Sequence, residues 1–342
     1  MTFSLEILGI SVLWTFLFGY IMVGSIDFGA GFFNGYSLIT DKEHILTKII
    51  QRYLSPVWEV TNVFLVFFFV GVVGFFPQTA YYYGTTLLVP VSFAILLLAI
   101  RGSYYAFETY GARGHKGYAF MYGLSGLLLP AALSIVLTIS EGGFITLKGT
   151  TPVLDYWALF TSPLTWSIVF LSIAALLYIS AVFLTWYANT ARDKAATELM
   201  RKYALLWSFP LIVTAFGIIM VLRTHNPVHY NNIIDLWWMF ALSFLLYLGT
   251  VWLLWFRKNY GVAVILLFLQ FAFAFYGYGI AHYPYLLYPY LDLYEGFTNH
   301  SMAISLVIAF ILGLCLLIPS LYLLMRLFLF DKRYIRGDVK KT

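Results

Sequence analysis

The chain has 342 residues, of which 62% belong to the set Ala, Val, Ile, Leu, Met, Phe, Trp, Tyr and Cys and only 10% are charged, with a net charge of +5. Soluble globular proteins average about 45–50% apolar and about 25% charged residues, and disordered chains are poor in aromatics; here 20% of residues are aromatic and the mean hydropathy is +0.85. A soluble fold and a disordered chain are excluded, and so is a disulfide scaffold, because Cys315 is the single cysteine.

What remains is an all-α polytopic membrane protein. The apolar runs are continuous over about 20 residues, whereas barrel strands are about 10 residues long and alternate. In chain order the runs fall at 5–25 (trailing on to 39), 57–76, 81–100, 117–139, 163–186, 204–222, 236–256, 261–280 and 303–325. They predict about nine transmembrane helices. No Lys or Arg precedes the first run, so it is expected to be a retained helix and not a cleaved signal peptide. The longest connections, 140–162, 187–203, 223–235 and 281–302, are too short to fold alone. Residues 1–342 are therefore expected to form a single integral membrane domain. Two four-helix bundles plus one additional helix is the expected arrangement, with sub-bundles at 1–140 and 160–282 and a final helix at 303–326; no internal sequence repeat marks it.

Nine spans put the termini on opposite sides, and 18 of the 20 basic residues then share one side, with only Lys148 and Arg223 on the other. The positive-inside rule places the N-terminus outside and the C-terminus in the cytoplasm. The excess positive charge is thus a record of topology and calls for no nucleic-acid partner. The opposite face carries Phe75-Phe76-Pro77, Tyr81-Tyr82-Tyr83, Trp157, Trp237-Trp238 and the Tyr-Pro-rich segment 283–290. These residues suit an interfacial belt against membrane lipids. A quinone or lipid slot built from the same rings is the alternative.

Ionisable residues inside apolar helices are the main chemical clue, because each costs several kcal/mol unless paired, hydrated or turned to the bundle interior. Asp27 shares a helical stripe with Gly24, Gly31 and Gly35, and small residues there admit a closely packed second helix. Ser55-Pro56 is expected to open the second helix, which places Glu59 in its first turn with Asn62 three residues on. The helix N-terminus favours the carboxylate of Glu59 and apolar surroundings favour the acid, a balance suited to passing protons. Arg101, Tyr104 and Glu108 form a third set, read as a snorkelling arginine with an acid nearby. Asp27, Glu59, Asn62, Arg101 and Glu108 together are the candidate proton pathway or cation site; packing or dipole compensation is the plainer role for each.

The six histidines, His44, His115, His225, His229, His282 and His300, all avoid the centres of the spans. Membrane haems need axial ligands at depth, so no haem is expected on this chain alone. His282 is expected to be an interfacial hydrogen-bonding group. No metal-ligand spacing, phosphate loop or nucleophile motif is recognised, and no catalytic residue is expected in this chain. Cys315 is expected to be a small buried apolar residue.

Gly24-x-x-Asp27-Phe28-Gly29-Ala30-Gly31, then Ser55-Pro56-Val57-Trp58-Glu59, then Arg101-Gly102 resemble the pattern of subunit II of cytochrome bd-type quinol oxidases. The nine-span layout and segment 283–290 fit the same family, so the resemblance covers essentially the whole chain. It implies a haem-free subunit in a heterodimer with subunit I, which carries two haems b, haem d and the quinol site. A small single-span accessory subunit is a further expected partner. The complex so implied lies in the bacterial cell membrane, oxidises quinol and reduces dioxygen to water with cytoplasmic protons. The family also implicates the acid after the tryptophan, here Glu59, in a proton pathway; many members carry aspartate there. Two rivals remain at this stage: a proton- or cation-coupled secondary transporter, and a purely structural membrane subunit.

Overall fold

A computed structural model of the chain describes residues 4–40, 42–110, 116–149, 151–324 and 326–327. The first helix, α1, runs Leu5–Ile39, its start fixed by the Ser4 side chain, which accepts from the Ile7 amide. It is followed by α2 (Glu43–Phe75), α3 (Pro77–Thr86), α4 (Leu88–Tyr110) and α5 (Lys116–Ser140). A hairpin of β1 (Ile145–Lys148) and β2 (Thr151–Leu154) leads to α6 (Tyr156–Thr161) and α7 (Pro163–Thr190). Then come α8 (Lys194–His225), α9 (Pro227–Asp235), α10 (Trp237–Trp255) and α11 (Tyr260–His282). A second small hairpin, β3 (Tyr285–Leu287) with β4 (Leu291–Asp292), precedes α12 (His300–Leu324). Proline at the first turn and a side-chain cap recur where helices begin: Ser162 before Pro163 and Asn226 before Pro227, while Asp193 caps α8.

Each of the nine expected runs lies on a helix, but two differ in detail. The α2 helix begins twelve residues before Ser55, so Pro56 sits inside it. Membrane helices tolerate such a proline because neighbouring groups take up the freed carbonyl. Glu59 therefore stands about four turns into α2, beyond reach of the N-terminal dipole invoked for it. The expected run 81–100 is divided: α3 folds back from α2 through 118° at Pro77, and the rest of the run lies on α4. Among the described residues, seven helices are long and apolar enough to cross a membrane, or eight when α2 and α3 count as one bent span; the apolar part of α4, Leu88–Tyr104, falls short by length.

The core centres on α7, whose Leu176, Leu177, Tyr178, Ile179, Ala181 and Val182 are all buried. This helix packs on α1, α5, α8 and α11, so residues of both expected sub-bundles share one core. A second core of Ile139, Phe144, Leu164, Leu222, Ile233 and Leu287 lies where the short helices and hairpins meet the ends of α5, α8 and α11. The cap at that end is tied by Tyr83 to Leu286, Tyr290 to Ile145 and the Tyr288 amide to Ser140. Gly142 has φ +83°, and a Cβ on it would lie 2.5 Å from the Tyr288 carbonyl, so a larger residue there would force the second hairpin away. Lys42, Arg192, Arg257 and Lys258 lie between helices at the opposite, basic end, where Lys194 opens α8. Cys315, expected to be buried, is exposed on α12.

Candidate functional site

Two buried polar clusters occupy opposite ends of the bundle. In the first, nearer the basic end, Arg101 of α4 and Asp27 of α1 form an ion pair of 3.0 Å with both side chains fully buried. By helical rise Asp27 is about 18 Å from the end of α1 at Ile39. Arg101 Nη2 also donates to Tyr122 Oη of α5 at 2.9 Å, and Nη1 to the Tyr122 carbonyl at 3.3 Å. The guanidinium lies over the rings of Tyr122 and Phe28, 4.2 and 4.7 Å from their centroids. Tyr104 stacks on Tyr122, with ring centroids 4.3 Å apart.

The glycine stripe makes this geometry. A Cβ at Gly31 would lie 2.6 Å from the Tyr122 ring, one at Gly35 would lie 3.4 Å from Gly123 Cα, and one at Gly126 would lie 2.5 Å from the Phe28 carbonyl and 2.9 Å from Arg101 Nη1. Backbone meets backbone between α1 and α5, and the space left by the missing side chains admits the guanidinium. Arg101 is thus not a snorkelling arginine with its head in water. Its acid is Asp27, 74 residues away in sequence.

Of the other expected residues, Asn62 is partly buried on α2, next to the buried Thr61. Thr61 Cγ2 lies 3.4 Å from where a Cβ on Gly24 would be, which sets the turn of α2 carrying Asn62 against the turn of α1 carrying Asp27. The side chains of Glu59 and Glu108 lie outside the described residues. Tyr122 is the participant missed in the sequence; it stands in an apolar run with nothing to separate it from ordinary core tyrosines.

The second cluster, in the cap, was also missed. Glu141 follows α5, and its carboxylate meets His229 Nδ1 of α9 at 2.9 Å and His282 Nδ1, the last residue of α11, at 3.7 Å. Tyr278 donates to Oε1, and Asn226 Nδ2 donates to Oε2 at 3.0 Å. Burial pushes the Glu141 carboxyl up, but the hydrogen bond from His229, the fields of His282 and His229 and the bond from Tyr278 outweigh it, leaving the group below its usual range. His282, expected at the interface, faces this carboxylate. No spacing motif exists for residues 141, 229 and 282; only the fold brings them together. Of the other histidines, His225 is paired with the Gly142 carbonyl and stacked on Phe144, His44 and His300 are exposed, and His115 lies outside the described residues.

A buried Asp–Arg pair seated in a glycine-lined helix contact, inside an apolar bundle with a capped end, defines a polytopic membrane protein with a polar interior. Residues 5–328 match the family model described as cytochrome bd terminal oxidase subunit II. A Bacillus subtilis (strain 168) protein described as a putative cytochrome bd menaquinol oxidase subunit II is 33% identical over 341 residues, covering 97% of this chain and 98% of that protein. A chain in the structure of bd oxidase from Geobacillus thermodenitrificans is 64% identical, with a TM-score of 0.83, covering 96% of this chain and 99% of that one. The chain belongs to the cytochrome bd terminal oxidase subunit II family. It is a subunit of a bd-type quinol oxidase, a membrane oxidoreductase complex that contains haem and at least one partner subunit. The transporter reading falls on this membership.

Proposed function

We propose that this chain is the haem-free subunit of the complex, packed beside a haem-bearing subunit I that holds two haems b, haem d and the quinol site, and that it supplies part of the route for protons from the cytoplasm. The observation that carries the proton reading is the fully buried Asp27–Arg101–Tyr122 network. The seating of Thr61 against Gly24 supports it further, since the α2 segment bearing Glu59 and Asn62 then runs alongside that network. Within it, Glu59 is the proton carrier. The Asp27 carboxylate is engaged by the Arg101 guanidinium at 3.0 Å and by the Tyr122 hydroxyl at 3.5 Å, so the Asp27–Arg101 pair is the polar anchor beside the route. Glu108 lies on the last two turns of α4 and belongs to the entrance. The positions of His44, His225, His229, His282 and His300, at helix ends or engaged within the cap, support placing the haems in the partner. A small accessory subunit is part of the same assembly. The basic residues support a cytoplasmic C-terminus and an outer N-terminus in the bacterial cell membrane.

Glu59→Gln in the assembled oxidase tests this. Quinol oxidation is expected to slow by at least about tenfold with haem content unchanged, as befits loss of a proton-transferring acid. Unaltered turnover across the pH range would leave Glu59 a structural residue and sink the proton reading, and loss of haem would assign it to assembly.

A further inference from the structure

Glu141, His229 and His282 each offer a ligand-type atom, and these atoms lie within 4.8 Å of one another. We propose that they form a binding site for one divalent transition-metal cation of the zinc type, held by Nδ1 of both imidazoles and the Glu141 carboxylate. The inference is independent of the proton route.

Four observations carry it. The first is burial without a permanent counter-ion: Glu141 and His229 are each 2% exposed, and among the described residues the ion-pair partners of Glu141 are both histidines. A buried carboxylate costs several kcal/mol unless a cation offsets it, and a neutral imidazole is a poor one. The second is spacing. Four-coordinate zinc with bonds of about 2.0–2.1 Å sets its donors about 3.3 Å apart; the carboxylate-to-Nδ1 distances of 2.9 and 3.7 Å straddle that edge, so small side-chain rotations suffice. The metal would take the place of the direct contact between His229 Nδ1 and the carboxylate.

The third concerns the tautomer. Nε2 of both rings has no hydrogen-bond partner, so it can carry the ring proton when Nδ1 turns its lone pair from the Glu141 contact to a cation. Both rings also border a cavity of about 10 Å³, on the scale of one water, lined further by Asn226 and Asn232. The fourth is the support around the ligands. Tyr278 and Asn226 donate to the two carboxylate oxygens, and Asn226 also accepts from the His229 amide at 3.2 Å, fixing the turn that bears the ligand. Metal centres depend on such outer contacts for affinity.

Two imidazoles and one carboxylate suit zinc, copper or nickel, whereas calcium and magnesium require oxygen-rich sets. The bound ion would tie the end of α5 to α9 and α11, the same junction the second core holds.

The test uses the assembled oxidase, purified without a histidine tag, stripped with a chelator and dialysed against micromolar zinc. Metal analysis with haem iron as the internal reference is expected to find one more zinc per complex in the native protein than in the His229→Asn/His282→Asn double variant. Tyr278→Phe, which keeps all three ligands, is expected to weaken binding about 10- to 100-fold. Equal zinc in native and double-variant complexes, or none retained by the native complex, overturns the proposal. Should the double variant fail to assemble, copper(II) loaded into the native complex decides the matter by electron paramagnetic resonance. Nitrogen splitting from two imidazoles supports the site, and its absence refutes it.

Discussion

Removing the guanidinium of Arg101 would leave the Asp27 carboxylate in the interior without its cation. Breaking a buried pair in this way costs about 3–5 kcal/mol, because the remaining charge stays desolvated. Arg101→Met is therefore expected to lower the melting temperature of the detergent-solubilised oxidase and the yield of haem-loaded complex. Adding Asp27→Asn should recover a large part of the loss, since the second change removes the stranded charge. A double variant no better than Arg101→Met alone would show that the ion pair does not set the cost. Arg101→Lys should rescue poorly: Nη1 and Nη2 serve different partners on α1 and α5 while the guanidinium plane lies on two rings, and a single ammonium cannot reproduce that fork. The pair was half legible in the sequence. Asp27 and Arg101 stood out because charge in an apolar run demands a reason, but their pairing did not, because helix periodicity says nothing about which helices meet. The Glu141 cluster was invisible for the same reason, compounded by its place at helix ends, where polar residues are ordinary.

At the scale of elements, the contact of α1 with α5 depends on surface that is missing. Gly126→Ala would place a methyl 2.5 Å from the Phe28 carbonyl and 2.9 Å from Arg101 Nη1, and neither neighbour can retreat without moving a helix or the ion pair. Overpacking of this kind typically costs about 1–3 kcal/mol. Gly217 in α8 is the control, since a Cβ there meets nothing within 4 Å and alanine is the better helix former. Thermal unfolding of the two variant complexes should separate them, Gly126→Ala less stable than native and Gly217→Ala equal to it or more stable; the reverse order would remove the close approach as an explanation of the glycine stripe. The stripe itself could be read from the 24, 27, 31, 35 spacing. Helix ends were read less well, because apolar length marks only the part of a helix inside the membrane. The α2 helix runs on through Ser55-Pro56, whose local chemistry resembles a helix start, and the polar Tyr81–Thr86 stretch, counted into a span, folds back as α3. The hairpins went unforeseen, being strands of two to four residues inside loops.

For the whole molecule, the asymmetry of the two ends is the feature that length and charge first disclosed. One end is a layer of short helices, hairpins and aromatic rings; the other is tight turns with lysine and arginine, such as Arg192 and Arg257. Between them the outward surface remains apolar, with Phe209 71% and Leu316 75% exposed, which fits lipid or a neighbouring subunit and not water. If the basic end is cytoplasmic, the capped end with Trp157 faces outward. The measurement needs a background free of the native thiol, because Cys315 is exposed on α12, so Cys315→Ser comes first. In that background Trp157→Cys, on the exposed α6, should react with a membrane-impermeant maleimide in intact cells. Lys258→Cys, in the turn between α10 and α11, should react only after the membrane is opened. The opposite pattern would invert the topology, put Glu59 and Glu108 toward the outer aqueous phase, and remove the cytoplasmic source of protons from the proposed route.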